Sequence, residues 1–146
     1  MASTALRYLE DFDVTTCEAE VVEVRQADDG RAVVVLDQTC FYPRGGGQDW
    51  DTGVILKGDE KFSVEEVRLD QDVVVWHIGS PHVDWPVGTK VKCEVNVERR
   101  TTNTRLHSAG HLVDMALQEF EQSWAPAKAR IILIGAPSNT TWATMF

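Results

Sequence analysis

Residues 17–36, CEAEVVEVRQADDGRAVVVL, decide the fold class. Cys17 to Arg25 alternates around valines, as a strand with one buried face does, and Arg31 to Leu36 is a second β-rich run. Asp28-Asp29-Gly30 between them is a turn signal, because Asp bonds its own backbone and Gly tolerates a left-handed conformation. A hairpin is predicted. The pattern continues outward through Gly53 to Leu56, Phe62 to Leu69, Val73 to Ile78 and Thr89 to Val97. Gly58-Asp59, Asp70-Gln71-Asp72 and Gly79-Ser80-Pro81 punctuate these runs, and Trp85-Pro86-Val87-Gly88 reads as the loop into the last strand. Many short strands at this spacing predict a small closed or nearly closed β-barrel.

The period changes at Glu98. Leu106, Gly110, Val113, Leu117 and Phe120 recur at helical spacing, which predicts one helix from Arg99 or Arg100 to about Gln122, ended by Ser123 to Pro126. In the tail, Ile131 to Ile134 reads as a short strand, and Asn139 to Phe146 as a loop with exposed Trp142 and Phe146. The fold class is therefore α+β: an N-terminal β-barrel over 1–97, a helix opening a second domain over 98–128, and a divergent tail over 129–146. One amphipathic helix cannot bury its own apolar face. The face carrying Leu106, Val113, Leu117 and Phe120 is expected to dock poorly.

With 14 Lys+Arg against 23 Asp+Glu in 146 residues, the net charge is −9. That disfavours a nucleic-acid coat working by bulk charge and leaves room for docking through a local basic patch. At 43% hydrophobic and 25% charged, the composition is that of a globular protein. No apolar run approaches the roughly 20 residues needed to span a bilayer. Met1 to Glu10 has neither the basic start nor the apolar core of a signal peptide. No membrane partner and a cytoplasmic location are expected. Cys17, Cys40 and Cys93 are odd in number, far apart and without C-x-x-C, so reduced structural thiols are expected rather than a disulfide framework or a zinc ribbon.

Three motifs could carry chemistry. His107-x-x-x-His111 puts two imidazoles on one helix face, able to converge on a metal ion, with small Ser108, Ala109 and Gly110 between them. The pattern alone equally describes two ordinary helix histidines, and without Glu after His107 it is not the metalloprotease motif. Gly45-Gly46-Gly47, before Gln48, makes sense where the backbone turns sharply or approaches a ligand, and equally in a plain barrel loop. No phosphate-loop spacing accompanies it. Arg99, Arg100 and Arg105 form the basic cluster of an acidic chain, suited to phosphate contact or simply to a solvated face.

Read together, DQTCFYPRGGGQDWDTG (Asp37 to Gly53) and ERRTTNTRLHSAGHL (Glu98 to Leu112) resemble the alanyl-tRNA editing proteins. These are free-standing relatives of the editing domain of alanyl-tRNA synthetase, related also to the second additional domain of threonyl-tRNA synthetase. The resemblance covers about residues 5 to 128. It implies a barrel carrying the glycine-rich motif, followed by an α/β editing domain opened by the histidine helix. It further implies hydrolysis of mischarged tRNA, chiefly seryl-tRNA specific for alanine. By position, His107 and His111 would be zinc ligands. Gly45, Gly46, Gly47 and Gln48 would lie near the editing pocket, and Ser108 would present a hydroxyl to the bound amino acid. Arg99, Arg100 and Arg105 would contact tRNA.

The family's zinc site is completed by a downstream Cys-x-x-x-His pair. Here no Cys follows Cys93 and no His follows His111, and the match stops after Lys128. A C-terminally truncated editing domain with an incomplete, weak zinc site is therefore expected. Cys40, His77 and His82 have no family pattern behind them and are expected to be structural or surface residues. Ser138 to Trp142 can be encoded by codons that, one base out of register, give Phe-Glu-Tyr-Asn-Val, which suggests a change of reading frame after Lys128. The residues offer nothing that would activate an amino acid. The competing reading is a non-catalytic tRNA- or protein-binding barrel module, or a non-functional splice product. A third is a barrel with a docking helix and incidental histidines.

Overall fold

The computed structural model describes residues 3–120 and the backbone of 130–134 and 141–145, with side chains through residue 116. In chain order the elements are β1 (Ala5–Leu6), α1 (Arg7–Glu10), β2 (Thr16–Gln26), β3 (Ala32–Leu36), β4 (Gln38–Thr39), β5 (Gly53–Lys57), β6 (Glu60–Leu69), β7 (Val75–Ser80), β8 (Lys90–Val95), α2 (Val97–Phe120), β9 (Arg130–Ile134) and β10 (Thr141–Met145). The segments Met1–Arg44 and Asp49–Arg100 form one compact unit. Gly45–Gln48 groups with Thr101–Phe146 in the other.

The first unit holds a closed antiparallel barrel in the order β2-β3-β7-β6-β5-β8, with β8 returning to β2. Two long strands make closure possible. Strand β2 pairs with β8 through its first half and with β3 through its second, and its register shifts between Val21 and Glu23. Strand β6 does the same between β5 and β7, shifting between Val64 and Glu66. A bulge bends a strand and lets it turn a barrel corner. At the second corner a Cβ on Gly79 would strike the Ser63 carbonyl. Every residue of β3 is buried. Ala32, Val34 and Leu36 face the main core with Phe41, Ile55, Phe62 and Val67, while Val33 and Val35 join a second cluster with Val74 and Ile78. Burial on both faces is why RAVVVL does not alternate.

The predicted hairpin forms, with Gly30 at φ +86° and the Ala27 amide donating to the Arg31 carbonyl at 2.8 Å. Several boundaries differ from expectation. Strand β7 begins at Val75, because Val73 lies in a turn at φ +60° whose Val74 amide donates to Asp70 Oδ1. Gly79 and Ser80 continue that strand. Strand β8 stops at Val95 and the helix starts at Val97, because Asn96 caps it: Asn96 Oδ1 accepts from the Arg99 amide at 3.0 Å. In the second unit, Thr141–Met145 is not a loop but a strand, antiparallel to β9 in the register Thr141↔Ile134 through Met145↔Arg130. Expectations for Gln122, for Ser123 to Pro126, for Ser138 to Thr140 and for Phe146 lie outside the described residues, as do the side chains of Leu117, Phe120 and Trp142. Among the described residues no helix is long and apolar enough to cross a membrane.

Candidate functional site

Helical spacing stacks His107 and His111 on one face of α2. Their ring centroids are 4.5 Å apart with planes at 85°, and the two Nε2 atoms face each other at 3.0 Å, one imidazole donating to the other. Two nitrogens bound at 2.0–2.1 Å to one tetrahedral ion would stand about 3.3 Å apart. The separation of the two nitrogens is close to that of two donors in a single coordination sphere. Ser108 is exposed beside it. Among the described residues no group of three or more His, Cys, Asp and Glu side chains is placed to hold a metal.

The barrel histidine and thiols are occupied elsewhere. His77 and Cys40 are buried in the barrel unit, and His82 is exposed. Cys17 and Cys93 are register partners on β2 and β8, and Cys40 lies in the same core. All three are free cysteines. Hydrogen bonds from the Cys40 and Cys93 thiols draw the Cys17 thiol below its ordinary range. Hydrogen bonding with Cys17 and Cys40, together with burial, pushes the Cys93 thiol up.

The glycine-rich motif is a turn. Gly45 and Gln48 exchange backbone hydrogen bonds of 3.2 and 3.0 Å, and the residues between them, Gly46 and Gly47, sit at φ +59° and +85°. Positive φ at both central positions is the type I′ hairpin turn, which favours glycine at each. A sharp turn thus suffices to explain Gly46 and Gly47. Gly45 lacks positive φ, and a Cβ there would meet nothing within 4 Å. The turn belongs to the same unit as the chain from Thr101 onward. The Gln48 side chain is buried and its Nε2 has no hydrogen-bond partner among the described residues.

The three arginines have different fates. Arg100 is buried in an ion pair with Asp51, which is wholly buried too. Its Nε donates to Asp51 Oδ2 at 2.8 Å, and its other nitrogens donate to the carbonyls of Phe12 (2.9 Å) and Cys40 (2.6 Å). Arg100 is therefore corrected from a tRNA contact to a structural residue: its guanidinium is neutralised and out of reach of an external phosphate. Arg99 is half-buried, with Nε donating to the Trp50 carbonyl at 3.0 Å, and Arg105 is exposed. Sequence reasoning missed Asp51, whose partner lies 49 positions away.

Comparison with known proteins matches residues 6–99 to the family of tRNA synthetases class II (A). The alanine–tRNA ligase of Paraburkholderia phytofirmans is 36% identical over 125 residues, covering 84% of this chain and 14% of the ligase. The ligase of Methanobrevibacter smithii is 36% identical over 124 residues, again 14% of its length. The alanyl-tRNA editing protein AlaX-L of Pyrococcus horikoshii is 36% identical over 113 residues, covering 77% of this chain and 28% of that protein. The chain thus spans about a seventh of the ligases and just over a quarter of the editing protein. Barrel, glycine turn and histidine helix occur here in one chain matched over its barrel by that family model, and the chain belongs to the class II (A) tRNA synthetase family, in its alanyl-tRNA editing-related group.

Proposed function

We propose that the chain serves aminoacyl-tRNA editing, the hydrolysis of the ester joining serine wrongly to an alanine-specific tRNA, and that its metal is zinc. The observation that carries this reading is the pair of Nε2 atoms of His107 and His111, 3.0 Å apart on one helix face. The similarity to an alanyl-tRNA editing protein supports the substrate class. On this reading His107 and His111 hold the ion. Ser108 offers its hydroxyl to the bound amino acid, and Gln48, presented by the turn of Gly45, Gly46 and Gly47, offers an amide donor that has no partner among the described residues. Polar groups left unpaired without a substrate hydroxyl discriminate serine from alanine better than a methyl-sized gap does. Arg99 and Arg105 contact the tRNA. When bound, zinc would supply positive charge to polarise the ester carbonyl. Such a role belongs in the cytoplasm, where charged tRNAs circulate.

Zinc sites use at least three protein ligands, and two are present among the described residues. The 146-residue polypeptide should therefore hold zinc weakly, well below one ion per chain, and deacylate seryl-tRNA slowly or not at all. The shortage of donors favours a second reading, a tRNA-binding module without catalysis. Metal analysis, tRNA binding and a deacylation assay in excess zinc decide between them. Deacylation lost in His107→Ala and His111→Ala supports editing. Binding of tRNA with no deacylation at any zinc concentration supports the module. One zinc per chain retained in the double variant would overturn the role of the histidine pair.

A further inference from the structure

Most of the arginines with described side chains are neutralised. Arg7 pairs with Glu10, Arg25 with Glu23, Arg31 with Asp29 and Glu66, Arg68 with Glu66, and Arg100 with Asp51. Arg44, Arg99 and Arg105 have no carboxylate partner among the described residues. Two of these, Arg44 and Arg99, come from distant parts of the barrel unit and meet at one side chain. The guanidinium carbon of each lies 5.9 Å from the centroid of the Trp50 ring.

The ring and one of the cations are held in place. Trp50 Nε1 donates to the Glu65 carbonyl at 2.8 Å, and Arg99 Nε donates to the Trp50 carbonyl at 3.0 Å. Trp50 is half-buried and packs against the core. Arg25 makes an instructive contrast. It stacks on Trp76 at 4.2 Å, closer than either arginine at Trp50, but Glu23 neutralises it. In a chain of net charge −9, two cations left without carboxylates beside one aromatic ring form a local positive site. An aromatic face with flanking guanidiniums matches an unpaired nucleotide strand, whose bases stack and whose phosphates take charge-assisted hydrogen bonds.

We propose that Arg44, Trp50 and Arg99 form a docking patch for a single-stranded stretch of nucleic acid, the unpaired acceptor end of a tRNA. A base stacks at the Trp50 indole, and the two guanidiniums bind the phosphates beside it. The proposal rests on the tRNA reading above and says where on the barrel unit the strand lands.

Fluorescence anisotropy of the full chain tests it, with intact uncharged tRNA and a labelled single-stranded RNA ending in CCA as probes. Arg44→Gln and Arg99→Gln should each lower the slope of log affinity against log salt by about 0.7, the value for one phosphate of a single strand. Trp50→Ala should weaken binding about ten-fold with the slope unchanged, as loss of one stacking contact does. Trp50→Phe should recover most of that loss. Arg44 is exposed, so Arg44→Gln keeps the test valid even if Trp50→Ala disturbs the core. Arg31→Gln, removing an arginine paired with Asp29 and Glu66, should change neither affinity nor slope. If the wild type binds tRNA and the Arg44, Trp50 and Arg99 variants bind equally well, the patch is wrong and Arg99 is no tRNA contact, while the chain's binding of tRNA stands. If the wild type binds no tRNA, the tRNA reading falls and the patch with it. Equal binding of a polyglutamate peptide would overturn the patch in favour of an acidic protein partner.

Discussion

Arg100 and His77 are both buried; burial overrules the functional reading of Arg100 and agrees with the structural reading of His77. Removing one partner of a buried ion pair costs about 3–5 kcal/mol, because the other charge is left uncompensated. The pairing of Arg100 with Asp51 is thus a requirement of burial rather than a reserve for ligands. His77 is a neutral strut. The Val34 carbonyl can only accept, so Nδ1 carries the proton at 2.9 Å, and Nε2 accepts from the Thr39 hydroxyl at 2.8 Å. Burial, the dominant influence, lowers its pKa from 6.5 to about 4. Between these values the unfolded chain binds the proton and the folded one does not. Stability contributed by His77 is therefore full above pH 6.5 and falls as pH drops toward 4, by about 3 kcal/mol. Urea unfolding at about pH 7 and about pH 4.5 should show this loss, and His77→Gln should flatten the dependence in that window. An unchanged pH profile in the variant would contradict the assignment.

At the level of elements, the hairpins were legible and their ends were not. Asp28-Asp29-Gly30 and Gly58-Asp59 carry their turn chemistry in the residues themselves. The type I′ turn at Gly45 to Gln48 was one of several uses open to a glycine triplet until its dihedral angles separated the glycines. Gly46→Ala should cost about 1–2 kcal/mol, the penalty for a Cβ in a left-handed conformation, while Gly45→Ala should cost little. Thermal unfolding of the two variants checks this, and equal losses would mean that the triplet serves something other than the turn. Strand β10 escaped detection because TWATM has no strong alternation, and its pairing with β9 is a property of both segments together. The start of α2 was misplaced by reading Asn96-Val97 as strand, although Asn96 is a preferred helix cap.

At the scale of the whole molecule, the described hydrophobic packing lies in the barrel unit. Among the described residues the two hydrophobic clusters draw their members from it, while Leu112, Val113 and Met115 of α2 are 67%, 48% and 64% exposed. Local opening is easiest where few apolar contacts hold an element. Amides of β3, β6 and β8 should therefore exchange slowly and those from Leu106 to Ala116 orders of magnitude faster; strong protection across that helical stretch in a monomer would refute this. The sequence by itself determined the barrel, the helix and the histidine pair, because alternation, turn residues and i, i+4 spacing are local properties written in consecutive positions. Only the tertiary structure decided that Arg100 is a strut and Arg99 is not. It alone brought Arg44 and Arg99 to one tryptophan and shared the two long strands between neighbours to close the barrel. Those outcomes depend on which distant residue is opposite, and burial, charge pairing and sheet closure act through space rather than along the chain.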